Sequence, residues 1–269
     1  MQPADFQFIA DWLKKRSGLA LTEDKIYLLD SRLLPVARNH GCDSVTALIH
    51  LVRTSRNDAV LREVTEAMTT NESLFFRDSK PFDYLRQTIL PAYKAAGGRS
   101  STRIWSAACS TGQEPYSIAM SLLEEEAKMP GWKYEIVATD LAQKVLDRAR
   151  AGIFSQFEVQ RGLPIQMLIK YFAQLPANMW QIKEPLRAMV SYRMQNLLEG
   201  FAILGKFDII FCRNVLIYFD EATKAQVVDS LANALLPGGY LALGCSEALM
   251  DKTQRFSAVT QCSGLYRLK

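Results

Sequence analysis

The sequence predicts an all-helical N-terminal segment followed by a doubly wound α/β domain. Two observations predict it: apolar residues recur at three- and four-residue spacing over the first 70 positions, and beyond Gly97-Gly98 short apolar runs alternate with amphipathic helices. In the helical segment Phe6, Ile9, Trp12 and Leu13 share one face, as do Leu28, Leu29, Leu33 and Val36, and then Leu48, Ile49 and Val52. Gly18 and Gly41 supply the breaks, and no strand candidate occurs there. A linking stretch, TTNESLFFRDSKPF, and a connecting helix lead to the sheet, so the expected divisions are 1–70, 71–98 and 99–269. Strands are expected at 103–108, 133–140, 188–194, 207–212 and 240–245, with a last short pair around Phe256 and Leu265 to Leu268. Helices are expected at 113–128, 141–151 and 221–235. From about 152 to 195 the rhythm breaks at Gly162, Pro164, Pro176 and Pro185, which reads as a small inserted subdomain at about 155–195 rather than a crossover helix.

Composition narrows the function by exclusion. At 269 residues, 49% hydrophobic and 22% charged, the chain can bury a sizeable core and contains no long disordered tract. A formal charge of +4 from scattered basic residues argues for neither nucleic acid nor a membrane surface. Cys42, Cys109, Cys212, Cys245 and Cys262 are odd in number and lack a CxxC pair, so reduced thiols in a cytoplasmic protein are expected rather than disulfides or a zinc site. No signal peptide or membrane-spanning run is evident, and nothing suggests an obligate oligomer. With only His40 and His50, a histidine-based metal or acid/base centre has little material, and no metal is expected.

Ligands of open α/β sheets sit outside the carboxyl ends of the strands, which directs attention to the turns there. The first is SAACSTGQEPYS, whose single Gly112 and added Glu114 do not suit a dinucleotide pyrophosphate. S-adenosylmethionine, with its sulfonium and ammonium and no phosphate, suits an acidic turn better. Thr111 and Glu114 also have capping-box spacing. Asp140, ending the second strand, can accept from both ribose hydroxyls, or can cap the following helix with Gln143. Asn214 and Tyr218 follow the strand FDIIFC; they orient cofactor or substrate, or they form a strand-end turn with Tyr218 as core. In the linker, Asn71, Ser73 and Arg77 can grip a charged ligand, while the plainer reading has Phe75 and Phe76 pinning two domains and Arg77 paired with an acid.

TTNESLFFRD, WSAACSTGQEPYSIAM, ATDLAQKVLDRARAGIF, QNLL, FDIIFCRNVLIYF and LLPGGYLALGCSE occur here in an order and spacing that resemble the chemotaxis receptor methyltransferases, the CheR family. The resemblance spans nearly the whole chain. It implies a Rossmann-like S-adenosylmethionine-dependent methyltransferase domain with a small inserted β-subdomain, behind an all-α N-terminal domain. By matching positions it implies that Asn71, Ser73, Arg77, Glu114, Asp140, Asn196, Leu197, Asn214 and Val215 contact the cofactor, and that Arg77 and Tyr218 stand beside the reacting methyl. The implied product is a γ-glutamyl methyl ester on cytoplasmic helices of methyl-accepting receptors. A glutamate of pKa about 4.3 is already an anion at neutral pH, so the lack of a catalytic histidine is no objection. One departure stands out: YFAQLPANMWQIKEPLRAMV lacks the glycine-containing loop by which some members grip a receptor's C-terminal peptide, so independence from such a tether is expected. Lys25, Arg32 and Arg38 either face an acidic receptor helix or form a solvated face. Rival readings are a methyltransferase for another acceptor, a non-catalytic cofactor-sensing module and, more remotely, an NAD-dependent oxidoreductase.

Overall fold

A computed structural model describes residues 1–249 and 254–269. Four helices open the chain: α1 (Pro3–Ser17), α2 (Ile26–Asn39), α3 (Val45–Thr54) and α4 (Asp58–Met68). Their ends follow local chemistry. Gly18 takes φ +80° and returns its N–H to the Lys14 carbonyl, Ser44 caps α3 by accepting from the Ala47 N–H, and Asn57 caps α4. Phe6, Ile9, Leu13, Leu29, Leu33, Val36, Leu48, Ile49 and Val52 are buried together in a core of their own, against which Trp12 and Leu28 pack half-buried. Arg32 does not face outward as a docking cation: it donates to the carbonyls of Met68 and Thr69 and to Thr70 Oγ1, stapling α2 to the segment that leaves α4.

A helical run follows, α5 (Lys80–Tyr84), a π turn and α6 (Leu90–Ala96), and then the sheet begins. Its elements are β1 (Ser101–Ala107), α7 (Gln113–Glu124), β2 (Lys133–Asp140), α8 (Gln143–Ala151), β3 (Ile153–Ser155), α9 (Gln156–Gln160), α10 (Ile165–Tyr171), β4 (Phe172–Leu175), β5 (Met179–Ile182), α11 (Glu184–Arg187), β6 (Val190–Met194), β7 (Phe207–Cys212), α12 (Glu221–Ala234), β8 (Leu235–Ala242), β9 (Phe256–Ala258) and β10 (Leu265–Leu268). Seven strands form one sheet in the order β6-β2-β1-β7-β8-β10-β9, parallel from β6 to β8 and antiparallel at β10 and β9. The chain runs outward from β1 to β2 and β6, then returns to the other side of β1 as β7. The reversal places a topological switch point at the carboxyl ends of β1 and β7. Each sheet face has its own apolar core, one shared with α7 and the insertion, the other with α12.

Two local departures from the sequence reading have clear causes. The sequence places a strand only at 240–245, yet β8 already begins at Leu235 and swells into a bulge between Leu235 and Tyr240. Gly239 makes this possible, since a Cβ there would lie 2.8 Å from the Leu236 carbonyl oxygen and 2.9 Å from that of Asp208. In the insertion a separate antiparallel sheet, order β3-β5-β4, is complete by Ile182, and Val190–Met194 has already returned to the main sheet beside β2. Phe75 plugs this small sheet into the main body, edge-on to Phe154 at 4.9 Å and to Phe172 at 5.7 Å. It therefore anchors the linker to the insertion, while Phe76 packs against Phe82 of α5; neither pins the helical segment as the plainer reading had it.

Candidate active site

The turn after β1 is held in an unusual backbone shape, with Ala108, Ser110 and Gly112 at φ +59°, +50° and +98°. Glycine is required at 112, where a Cβ would meet the Ala149 side chain at 3.0 Å and Tyr192 Oη at 3.1 Å. Gly112 is also the N-terminal flank of α7 and carries no side-chain cap. Thr111 bonds instead to Gln113, so the capping box allowed by the spacing does not form. Glu114 is free for another role. It is buried, accepts from Ser106 Oγ at 2.7 Å and pairs with Arg213 at 3.1 Å. Burial pushes the Glu114 carboxyl above its ordinary value, and Arg213 opposes the rise.

Asp140 closes β2 and is likewise buried. One carboxylate oxygen accepts from the Ser110 N–H at 2.9 Å and the other from the Ala142 N–H at 3.0 Å. The flanking residue of α8 is Ala142, so Asp140 is not that helix's cap. Burial raises its pKa and these backbone donors resist. After β6, Asn196 reaches across to the helical segment, donating to the Arg16 carbonyl at 2.8 Å. After β7, Asn214 stands at φ +59° with its N–H on Glu247 Oε2 at 2.7 Å, and the Tyr218 carbonyl accepts from the Ala20 N–H at 2.8 Å. In the linker, Ser110 Oγ donates to the Asn71 carbonyl at 2.7 Å. Arg77 makes no ion pair among the described residues, although, behind the larger effect of Arg161, its charge helps to lower the pKa of the Glu72 carboxyl.

All of the sequence-expected positions face one cavity: Asn71, Ser73, Arg77, Glu114, Asp140, Asn196, Leu197, Asn214, Val215 and Tyr218. It opens at the carboxyl ends of β1, β2, β6 and β7, and Ser17 and Leu19 from the end of α1 complete the wall. The sequence reading missed Arg213 and Glu247. Arg213 is buried and joins Glu114, Asp78 and the Arg77 carbonyl; Glu247 accepts from the N–H groups of Asn214, Ile217 and Gly244. A charge set directly after the apolar strand FDIIFC was the available signal for Arg213, because a buried guanidinium demands partners.

Residues 4–69 match the family described as CheR methyltransferase, all-alpha domain, and residues 71–264 match CheR methyltransferase, SAM binding domain. The chain belongs to the CheR methyltransferase family. It is 43% identical to chemotaxis protein methyltransferase 1 of Pseudomonas aeruginosa, the match covering 99% of this chain and 98% of that one. It is 41% identical to the chemotaxis protein methyltransferase of Vibrio anguillarum, covering 98% and 97%. Against the second protein of that kind from Vibrio cholerae, chemotaxis protein methyltransferase 2, identity is 34% over 91% of this chain and 85% of that one.

The cavity suits the cofactor of a CheR methyltransferase. Two buried carboxylates, Glu114 and Asp140, line it, a setting compatible with a ligand that brings positive charge and hydroxyl donors. S-adenosylmethionine brings both, and its lack of phosphate matches a turn with one glycine. Among the described residues no helix is long and apolar enough to cross a membrane.

Proposed function

We propose that this methyltransferase acts in the cytoplasm, as a monomer, on glutamate side chains of the cytoplasmic helices of methyl-accepting chemotaxis receptors, forming glutamyl methyl esters. The observation that carries the reading is an Arg77 without an ion pair among the described residues, sharing with Tyr218 a cavity wall that contains no histidine. An acceptor that must lose a proton before attack would need a base there, and the wall's carboxylates are already engaged: Glu72 by Arg161, Glu114 by Arg213 and Asp140 by backbone N–H groups. A carboxylate does not, because it is ionised at neutral pH and an arginine can orient it.

When bound, S-adenosylmethionine supplies a methyl group activated by its sulfonium. Glu114 and Asp140 hold its charged and hydroxyl-bearing parts, Asn71, Ser73, Asn196, Leu197, Asn214 and Val215 line its remaining surface, and Arg77 and Tyr218 flank the reacting end. Catalysis by these residues is chiefly positioning, which at its best lowers a barrier by roughly 7 to 11 kcal/mol. The working division of the chain is a helical unit at 1–70, a connecting segment at 71–98 and a methyltransferase unit at 99–269. No C-terminal receptor peptide is needed as a tether, a reading supported by the short β4–β5 hairpin, in which Leu175 pairs with Met179.

The test is to incubate the protein with methyl-labelled S-adenosylmethionine and receptor-containing membranes from the same source, then to collect volatile methanol released by mild alkali. Alkali-labile label on receptor bands is the expected result. Cofactor binding without such label would remove the receptor-glutamate assignment and leave a methyltransferase for another acceptor.

A further inference from the structure

Arg213 follows β7 directly, and its side chain is 2% exposed. Its Nη1 donates to Glu114 Oε2 at 3.1 Å, and its Nη2 donates to Asp78 Oδ2 at 2.9 Å and to the Arg77 carbonyl at 2.5 Å. The guanidinium also lies over the Phe82 ring, 5.5 Å from its centroid. One planar cation thus joins the first turn of α7 to the linker turn that carries Arg77. That turn has Phe76 at φ +50° and Asp78 at φ +52°, conformations that cost free energy and persist only when neighbours enforce them.

We propose that Arg213 is a positioning residue of the methyl-transfer site, fixing the Glu114 carboxylate and the Arg77 turn in register with one another. The proposal rests on the reading that Glu114 meets the cofactor and Arg77 the reacting end. Arginine is needed because its rigid fork serves two acceptors in different directions at once, whereas a lysine is a single point of charge. The ionisable groups facing Glu114 are Arg213 and Glu247, with the buried thiols Cys109 and Cys212 nearby. Burial and Glu247 favour the proton on Glu114, and Arg213 is the cation opposing them.

The experiment uses the full chain with S-adenosylhomocysteine as the binding probe, titrated calorimetrically from acid to neutral pH, and methyl transfer to receptor membranes for kcat. In Arg213→Met the pH midpoint of binding moves up by about 1 to 3 units, because Glu114 loses its opposing charge. Arg213→Lys keeps that charge but loses the fork, so its midpoint stays near the wild type while kcat falls. Asp78→Asn weakens only the arm to the turn and gives the same split. A purely structural role would not separate midpoint from kcat. A folded Arg213→Met with an unshifted midpoint overturns the Glu114 arm. Wild-type kcat in both Arg213→Lys and Asp78→Asn overturns the turn arm, and these two variants decide if Arg213→Met does not fold. Glu114→Gln distinguishes the underlying reading: if it leaves the pH dependence of binding intact, the Glu114 arm falls with the assignment it rests on, and the kcat of Asp78→Asn still decides the other.

Discussion

Arg77 and Arg213 stand in the same cavity wall with opposite environments. Arg213 is enclosed between Glu114 and Asp78, whereas Arg77 has no carboxylate partner among the described residues, so only Arg77 has a guanidinium available to an incoming anion. Arg77→Ala is expected to lower kcat at saturating cofactor by about a hundredfold, the usual cost of removing one donor that acts in the transition state. A loss of cofactor affinity with kcat retained would make Arg77 a clamp rather than a catalytic residue. Glu114 and Asp140 set the pH response. Burial raises their folded-state pKa values above the ordinary 4.5 and 3.8, so their contribution to folding stability is fully present below the ordinary values and is lost as pH rises through the raised ones. The cofactor's ammonium and ribose hydroxyls, which S-adenosylhomocysteine retains, need the ionised forms and compete with these protons. Affinity for S-adenosylhomocysteine should therefore climb with pH across a window beginning near the ordinary carboxylate range and extending above it, then level off. Calorimetry on the wild type and Asp140→Asn checks this; a flat wild-type profile through that window would contradict it.

Among the elements, what could be read in advance depended on how strongly local pattern constrained the backbone. Lys133–Asp140 and Phe207–Cys212 form strands over the residues expected, because each carries a short apolar run, 136–138 and 209–211, rich in β-branched or aromatic residues and bounded by polar turns. The candidate site was legible for the same reason: Glu114, Asp140 and Asn214 follow strands closely, and the sheet's topology brings those ends together. The insertion was legible only as an interruption. Its strands are three or four residues long, too short to show a period, and its β4–β5 turn uses Ala177 and Asn178 at φ +58° and +55°, without the glycine that usually marks such a turn. Arg213 and Glu247 escaped because their value lies in contacts made by folding, Arg213 with the distant side chains of Glu114 and Asp78 and Glu247 with the backbone N–H groups of Asn214 and Ile217. That same hairpin supports a prediction. With Leu175 and Met179 already paired, only residues 176–178 remain at the tip, leaving no loop to close over a peptide. A receptor's C-terminal pentapeptide should bind no tighter than about 1 mM, little more than 4 kcal/mol of binding free energy. Micromolar binding by calorimetry, or slower methylation of a receptor lacking those five residues, would sink the tether-free reading.

Across the whole molecule, the helical unit and the sheet meet around the cavity's rim. Lys14 pairs with Asp220 at 2.5 Å, Asn196 reaches the Arg16 carbonyl, Ala20 donates to the Tyr218 carbonyl, and Glu66 accepts from the Gln143 N–H at 2.9 Å. The helical unit's apolar core is separate from the two cores on the faces of the sheet, so polar contacts such as these couple the units at the rim. Gly18 sits at the seam. It adopts φ +80°, and a Cβ there would lie 2.9 Å from the Phe219 ring and 3.3 Å from Leu198. Gly18→Ala should leave all three cores folded while prising Ser17 and Leu19 away from the cavity wall. At a hundredfold excess over Kd, S-adenosylhomocysteine contributes about 2.7 kcal/mol and should raise the wild-type Tm by roughly 5 to 10 °C. At the same concentration the variant should show a clearly smaller rise, with far-ultraviolet dichroism unchanged before heating. An equal rise in both proteins would mean that the cofactor is held by the sheet alone and that docking of the helical unit does not govern its affinity.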